Sequence, residues 1–184
     1  KQFRLVAGRP LIARAIEALA NGLPGSRIIP VIDPAAAEVY TRSIAGLSPQ
    51  AAAALEPWVA GGASRQSSAH AGVEAAATNT SIKIVLIHDC ARLFATQVLL
   101  EKTIANARIH GGAIPALPIT DTLKEVGADR SITGGVDREK LCTVQTPQGF
   151  ALPIVLDAHR RAAAAAAPDR KSTRLNSSHG YISY

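Results

Sequence analysis

Cysteine is scarce in this 184-residue chain: the two present, Cys90 and Cys142, lie far apart and form neither a CxxC nor a Cys/His ligand spacing. Neither a disulfide framework nor a structural zinc site follows from them, and reduced, incidental thiols are expected. Aromatic residues make up only 4%. The formal net charge of +6 is carried by scattered Lys and Arg residues, a distribution that argues against a nucleic-acid partner and suits a substrate with several phosphates equally well. No uninterrupted apolar run approaches the length of a bilayer crossing, and Lys1-Gln2-Phe3-Arg4 lacks the apolar stretch of a secretory signal. The expectation is a soluble cytoplasmic protein with no membrane partner. What the chain does have is 47% hydrophobic residues, enough for the core of one domain and too few positions for two.

The composition changes abruptly at Asp169. The last stretch, DRKSTRLNSSHGYISY, is polar and has the period of neither helix nor strand. It is similar to the in-frame translation of a sequencing-adapter oligonucleotide, so residues 169–184 are read as an artefactual tail and residues 1–168 as the domain; a natural basic tail is the rival. Without Arg170, Lys171, Arg174 and Asp169 the net charge falls to +4, which further weakens a nucleic-acid reading.

Along the domain, strands and helices alternate. Ile12, Ala15, Ile16 and Leu19 share one face of a helix predicted over Leu11 to Asn21, stopped by Gly22. RIIPVI, Arg27 to Ile32, reads as a short buried strand, Pro34 to Ala45 as a helix with proline in its first turn, and Pro57 to Ala60 as an extended segment. Ser67 or Ser68 is expected to cap a helix ending near Ala77, and Thr96 one ending near His110. IKIVLI, Ile82 to Ile87, predicts a strand covered on both faces, Ala113 to Leu117 a further strand, and Pro153 the opening of an alanine-rich helix. Between them, Pro118 to Gln145 is polar with turn signals at Gly127-Ala128-Asp129 and Gly134-Gly135, the pattern of a protruding β-hairpin arm. The fold class is α/β, a Rossmann-like and mostly parallel sheet flanked by helices.

In such sheets ligands collect beyond the carboxyl ends of the strands. Two segments qualify. Gly61-Gly62-Ala63-Ser64-Arg65-Gln66-Ser67-Ser68 offers adjacent glycines for close backbone approach and a helix start with free N–H groups, although an ordinary Gly-Gly turn with a serine cap has the same letters. His88-Asp89-Cys90-Ala91-Arg92 directly follows IKIVLI. Asp89 there can hold Mg2+ against a triphosphate and Arg92 can bind a phosphate bidentately, or the two simply pair with each other. His88, a single histidine closing an apolar strand, is assigned no chemistry. Thr122 and Arg138 put a hydroxyl and a guanidinium on the arm, and Thr146 can donate a hydroxyl to a phosphate; each also reads as surface or turn.

The order of these segments is more specific than any one of them. Lys1-Gln2-Phe3, GGASRQSS, VLIHDCAR, GAIPALPITDTLK, TGGVDREKL and QTPQGF succeed one another in a way that resembles the 2-C-methyl-D-erythritol 4-phosphate cytidylyltransferases over essentially Lys1 to Ala167. The resemblance implies that Lys1 contacts phosphates and steadies transition-state charge. It implies further that Gly61, Gly62, Ala63 and Ser68 hold the cytosine and ribose of CTP, and that Asp89 coordinates Mg2+, or another divalent cation, and the triphosphate. Arg92 and Thr146 match residues that hold the methylerythritol phosphate. Thr122 and Arg138 match arm residues that enter the neighbouring subunit's site, implying a homodimer. The family also has a first strand and glycine-rich loop ahead of Lys1 and a further substrate-binding lysine near its C-terminus; with neither present, residues 1–184 alone are not expected to turn over CTP. Cys90 stands for the family's usual alanine, Leu93 for proline, Ser67 for aspartate and Cys142 for a large aromatic. Two other functions compete: a cytidylyltransferase for another polyol phosphate such as ribitol 5-phosphate, and a noncatalytic basic α/β module that binds nucleic acid.

Overall fold

The computed structural model describes residues 1–165 and 181–183. The chain opens with a ribbon of β1 (Leu5–Val6) and β2 (Arg9–Pro10), which runs into α1 (Leu11–Gly22). Helix α1 buries Ile12, Ala15, Ile16 and Ala20, the stripe that residues three and four apart make on a helix. Next come β3 (Val31–Ile32), a 3-10 turn over Pro34–Ala36 with Asp33 as its cap, α2 (Ala37–Ile44), α3 (Pro49–Ala54) and β4 (Val59–Ala60). β3 and β4 pair in parallel. Ile12, Ile16, Ala20, Ile32, Tyr40 and Ala51 close one core cluster between these elements.

The second part contains α4 (Arg65–Ala77), β5 (Ile84–Ile87), α5 (Gln97–His110), β6 (Gly112–Pro118), β7 (Lys124–Val126), β8 (Ile132–Gly135), β9 (Cys142–Val144), β10 (Gln148–Ala151), α6 (Leu152–Ala165) and β11 (Tyr181–Ser183). Thr96 caps α5, accepting from the Leu99 N–H, and Gly111 ends it with φ of 81°, a conformation that favours glycine. The main sheet runs β11-β6-β10-β5, with β9 added to β6. Val73 and Ala76 of α4, Phe150 of β10, and Leu152 and Val155 of α6 form its core cluster. No helix among the described residues is long and apolar enough to cross a membrane.

The α/β class holds, but the expected mostly parallel sheet is not what these strands form. β10 runs antiparallel to both β5 and β6. The reason is the connection: helix α5 carries the chain from β5 to β6, whereas the segment after β6 brings it back between them with no crossover helix, so it must run the other way. In that segment β7 and β8 pair antiparallel and β9 pairs with β6. The strand expected over Arg27 to Ile32 shrinks to two residues: Ile28 makes only an isolated bridge to Leu55, and Pro30, which has no N–H to donate, interrupts the ladder before it resumes at Val31. Helix α3 has no counterpart in the sequence reading, although Ser48 caps it and Pro49 opens it. β5, expected to be covered on both faces, is only partly buried; it has a strand partner on one edge, β10. The stretch from Asp169 lies outside the described residues except for Tyr181–Ser183, whose backbone pairs parallel with β6.

Helices α4 and α6 meet at a titratable cluster. His159 of α6 is 1% exposed and neither ring nitrogen has a hydrogen-bond partner. Its ring stacks on His70 of α4, centroids 5.6 Å apart. His70 Nε2 lies 3.1 Å from Glu74 Oε1, and Arg160 donates two hydrogen bonds to the Glu74 carboxylate, at 2.7 and 2.8 Å. Burial pushes the His159 imidazole below its ordinary value of 6.5, with the His70 charge acting in the same direction. Arg160 hydrogen bonding holds Glu74 down at about 2. The unfolded chain therefore takes up a proton at His159 before the folded one does, so the stability of the neutral form is complete above pH 6.5 and is lost as pH falls below it; Glu74 adds a second loss between its ordinary 4.5 and about 2. His159→Leu is expected to hold or raise the urea midpoint at pH 7.5, since it removes two buried polar atoms without partners, and to reduce the decline between pH 7 and 5.5, leaving the part that comes from His88, whose pKa burial also lowers. A variant midpoint falling as steeply as the parent's over that interval would place the acid sensitivity elsewhere.

Candidate functional site

The carboxyl end of β5 and the start of α4 face each other. At the α4 side, Ser64 is the cap: its hydroxyl accepts from the Ser67 N–H at 3.0 Å while Ser67 Oγ accepts from the Ser64 N–H at 2.9 Å. This reciprocal pair corrects the expected cap at Ser67 or Ser68. Ser67 lies in the first turn, and Ser68 is thereby released to turn back on the loop, where its Oγ accepts from the Gly62 N–H at 3.1 Å. A Cβ on Gly62 would sit 2.3 Å from Ser67 Oγ and 2.6 Å from Ser67 Cβ, so only glycine lets the loop lie this close to the helix. Gly61, Gly62 and Ser68 line a concavity of about 290 Å³ with Val31, Ile32 and Asp33. Ala63 is exposed beside them.

At the β5 side the loop 88–92 closes on itself. The Arg92 N–H donates to the Asp89 carbonyl at 2.9 Å, and His88 Nε2 lies 2.9 Å from the Arg92 carbonyl oxygen. Asp89 Oδ1 accepts from Arg65 Nη2 at 3.1 Å, and Oδ2 lies 3.8 Å from Arg92 Nε. The Asp89 N–H donates to Thr146 Oγ1 at 3.2 Å, and Thr146 Oγ1 lies 3.2 Å from His88 Nδ1. Arg92 Nη1 also donates to the side chain of Gln145. Thr146 is buried at the foot of β10, and the Thr146–Pro147 peptide is cis. Burial pushes the His88 pKa down, against the Arg92 carbonyl and the Asp89 charge, which raise it. Burial pushes the Cys90 thiol up, and so does Asp89, while the nearby charge of Lys1 pulls it down. That thiol is protonated at neutral pH. Lys1 is exposed, and its charge is felt at Cys90, the residue after Asp89.

The fold thus brings together Asp89, Arg92 and Thr146, with Arg65 and the Gly61–Ser68 loop opposite. Thr122 and Arg138 are elsewhere. Thr122 is exposed, Arg138 donates to the Thr120 carbonyl at 2.5 Å, and among the described residues neither bonds to Asp89, Arg92 or Thr146. Arg138 lines a separate concavity of about 370 Å³ with Pro118, Ile119, Thr120, Glu139 and Leu141. Sequence reasoning missed Arg65 and Gln145 and discounted His88. Arg65 is the first residue of a helix whose start faces the β5 end, a signal that was present; Gln145 had none, because its partner is 53 residues away.

Two guanidinium groups on one carboxylate leave a net positive site that suits an anion. The Arg65–Asp89 pair is half-exposed on both sides, so it is worth no more than about 1 kcal/mol and yields readily to a metal or phosphate. Among the described residues no group of three His, Cys, Asp or Glu side chains is placed to hold a metal. One carboxylate is nonetheless a sufficient protein contribution for Mg2+, which keeps waters and takes its remaining ligands from substrate phosphates.

Residues 1–175 match the family model for IspD, 2-C-methyl-D-erythritol 4-phosphate cytidylyltransferase. The chain is 44% identical over 163 residues to the bifunctional enzyme IspD/IspF of Nitrobacter hamburgensis, covering 89% of this chain and 39% of that protein. It is 42% identical over 169 residues to the protein of the same name from Rhodopseudomonas palustris, covering 92% and 41%. The chain therefore spans about two fifths of the length of these curated relatives. Among solved structures, the 2-C-methyl-D-erythritol 4-phosphate cytidylyltransferase of Thermus thermophilus superposes with a TM-score of 0.68 at 30% identity, over 92% of this chain and 74% of that one. The 4-diphosphocytidyl-2C-methyl-D-erythritol synthase of Anaerococcus prevotii superposes with a TM-score of 0.79 at 21% identity, over 97% and 78%, a likeness of fold.

Proposed function

The chain belongs to the 2-C-methyl-D-erythritol 4-phosphate cytidylyltransferase family, and from that premise we propose that its site serves the joining of CTP to 2-C-methyl-D-erythritol 4-phosphate, giving 4-diphosphocytidyl-2-C-methyl-D-erythritol and pyrophosphate in isoprenoid biosynthesis. The observation that carries this reading is the half-exposed Asp89 between Arg65 and Arg92, opposite the Gly61–Gly62 loop. Loop N–H and carbonyl groups suit the edges of a flat base, and Ser68 steadies that loop by bonding Gly62. Arg92, with Thr146 at its side, takes the polyol phosphate. That phosphate oxygen attacks the α-phosphorus of CTP and pyrophosphate leaves, so no enzyme-bound covalent intermediate is needed. The chain's part is to align two anions and offset their repulsion, with Lys1 and Arg65 beside the triphosphate. Asp89 would hold Mg2+, which supplies charge neutralisation at the phosphates.

Thr122 and Arg138 act, on this reading, in a second subunit. Both are exposed and, among the described residues, bond to none of Asp89, Arg92 and Thr146 of their own chain, and the segment that carries them shows Leu117, Val126, Ile132 and Val144 at its surface. Those apolar side chains suit the face of a homodimer. Titrating the chain calorimetrically with CTP and Mg2+, and separately with 2-C-methyl-D-erythritol 4-phosphate and ribitol 5-phosphate, tests the assignment. Preference for the methylerythritol phosphate is expected; preference for ribitol phosphate, or binding of neither, overturns it.

A further inference from the structure

His88 sits where two hydrogen-bond chains meet, although nothing in the proposed chemistry requires it to touch substrate. Its Nε2 faces the Arg92 carbonyl oxygen at 2.9 Å, an atom that can only accept, so Nε2 carries a hydrogen. In the neutral ring Nδ1 is then bare and can only accept. The atom facing it is Thr146 Oγ1, at 3.2 Å, whose single proton is thereby drawn to His88. Thr146 Oγ1 in turn takes the Asp89 N–H at 3.2 Å on a lone pair. Read in order, Asp89 N–H donates to Thr146, Thr146 O–H donates to His88, and His88 N–H donates to the carbonyl of Arg92. Every donor and acceptor is matched and the direction of the chain is set by one carbonyl.

We propose that His88 is the positioning residue of this site: one ring holds the Arg92 backbone at one end of the 88–92 loop and, through Thr146, the Asp89 backbone at the other, so that carboxylate and guanidinium keep their spacing. The inference rests on the assignment of Arg92 and Asp89 to substrate and nucleotide. It also changes the part played by Thr146. With its proton committed to His88, the hydroxyl tethers the β5 loop to the foot of β10 and does not donate to a phosphate until that bond is broken. The loop needs such a clasp because it contains no regular structure. Its own backbone supplies one bond across it, Arg92 N–H to Asp89 carbonyl.

Substitutions separate the two ends. An asparagine at 88 reaches Thr146 with its amide oxygen but not Arg92; a glutamine can reach the Arg92 carbonyl but does not replace Nδ1; alanine does neither. The first measurement is made on the ligand-free chain at pH 7.5: long-range proton–nitrogen NMR spectra should show His88 as the tautomer protonated at Nε2. The second is the affinity for 2-C-methyl-D-erythritol 4-phosphate. His88→Ala is expected to weaken it about tenfold, with metal-free CTP affinity changed less than about twofold, and His88→Asn and His88→Gln are each expected to recover part of the loss. A tautomer protonated at Nδ1, or an alanine variant that binds the polyol phosphate as well as the parent, overturns the inference. Should the alanine variant fail to fold, the asparagine and glutamine variants decide the binding comparison. A parent chain that binds no polyol phosphate counts against the proposed substrate, and the tautomer then decides the role of His88 by itself.

Discussion

Asp89→Ala is expected to remove the increment that Mg2+ adds to CTP binding while leaving metal-free anion binding intact or stronger. In the parent, Asp89 pairs with Arg65 at 3.1 Å and approaches Arg92 at 3.8 Å. Deleting the carboxylate frees both guanidinium groups for phosphate oxygens and takes away the only side chain assigned to the metal. In an enzyme that contains this site, turnover should fall by about a thousandfold or more, the scale of losing a preorganised electrostatic contact together with part of a metal's charge stabilisation. Titration of CTP with and without Mg2+ reads the first effect, and pyrophosphate release reads the second. A variant that keeps the full Mg2+ increment would remove Asp89 from the metal and leave the arginines as plain phosphate ligands. Asp89→Asn refines the comparison, because it preserves size and partial hydrogen bonding while discarding the charge.

Arg92→Ala should be the most damaging change on the acceptor side. Its guanidinium is oriented from two directions, by Gln145 and by Asp89, and its backbone is held by His88 and by Asp89. A pre-oriented fork loses little freedom when a phosphate arrives. Charge-assisted hydrogen bonds of this kind contribute about 1.5–3 kcal/mol, so affinity for the polyol phosphate should fall by about tenfold to a hundredfold. CTP affinity should change little. Arg92→Lys keeps the charge but cannot reproduce the fork toward Gln145 and phosphate together, and it should recover only a small part of the loss. If alanine weakens CTP and polyol phosphate equally, Arg92 belongs to the nucleotide subsite, and the division of the site proposed above is wrong.

Much of the scaffold was legible in the letters. The apolar stripe of α1, the Thr96 cap of α5, and the apolar run of β5 each express local preferences of the backbone and the burial of one face. Local signals were weaker where two of them competed. Serines at 64, 67 and 68 can all cap a helix, and the choice of Ser64 depends on a reciprocal bond with Ser67 that the one-letter string leaves open. The hydrophobic pattern of IKIVLI promised a strand buried on both faces, yet burial depends on neighbours, and β5 has a strand on one edge.

By itself the sequence determined the alternation of strands and helices, and the order of motifs that marks the family. It also determined that Asp89 and Arg92 stand just past a strand end, three residues apart. Direction and company were decided in three dimensions. A strand's heading depends on how the chain returns to the sheet, which is why β10 runs antiparallel between β5 and β6. Thr146 reaches Asp89 across 57 residues of sequence, Arg65 across 24, and Gln145 reaches Arg92 across 53. Contacts of that span depend on the packing of β10 and α4 against β5, and no local pattern encodes them. The part played by His88 belongs to the same class, because the proton on its ring is placed by a carbonyl and a hydroxyl that only the folded chain brings to opposite sides of it.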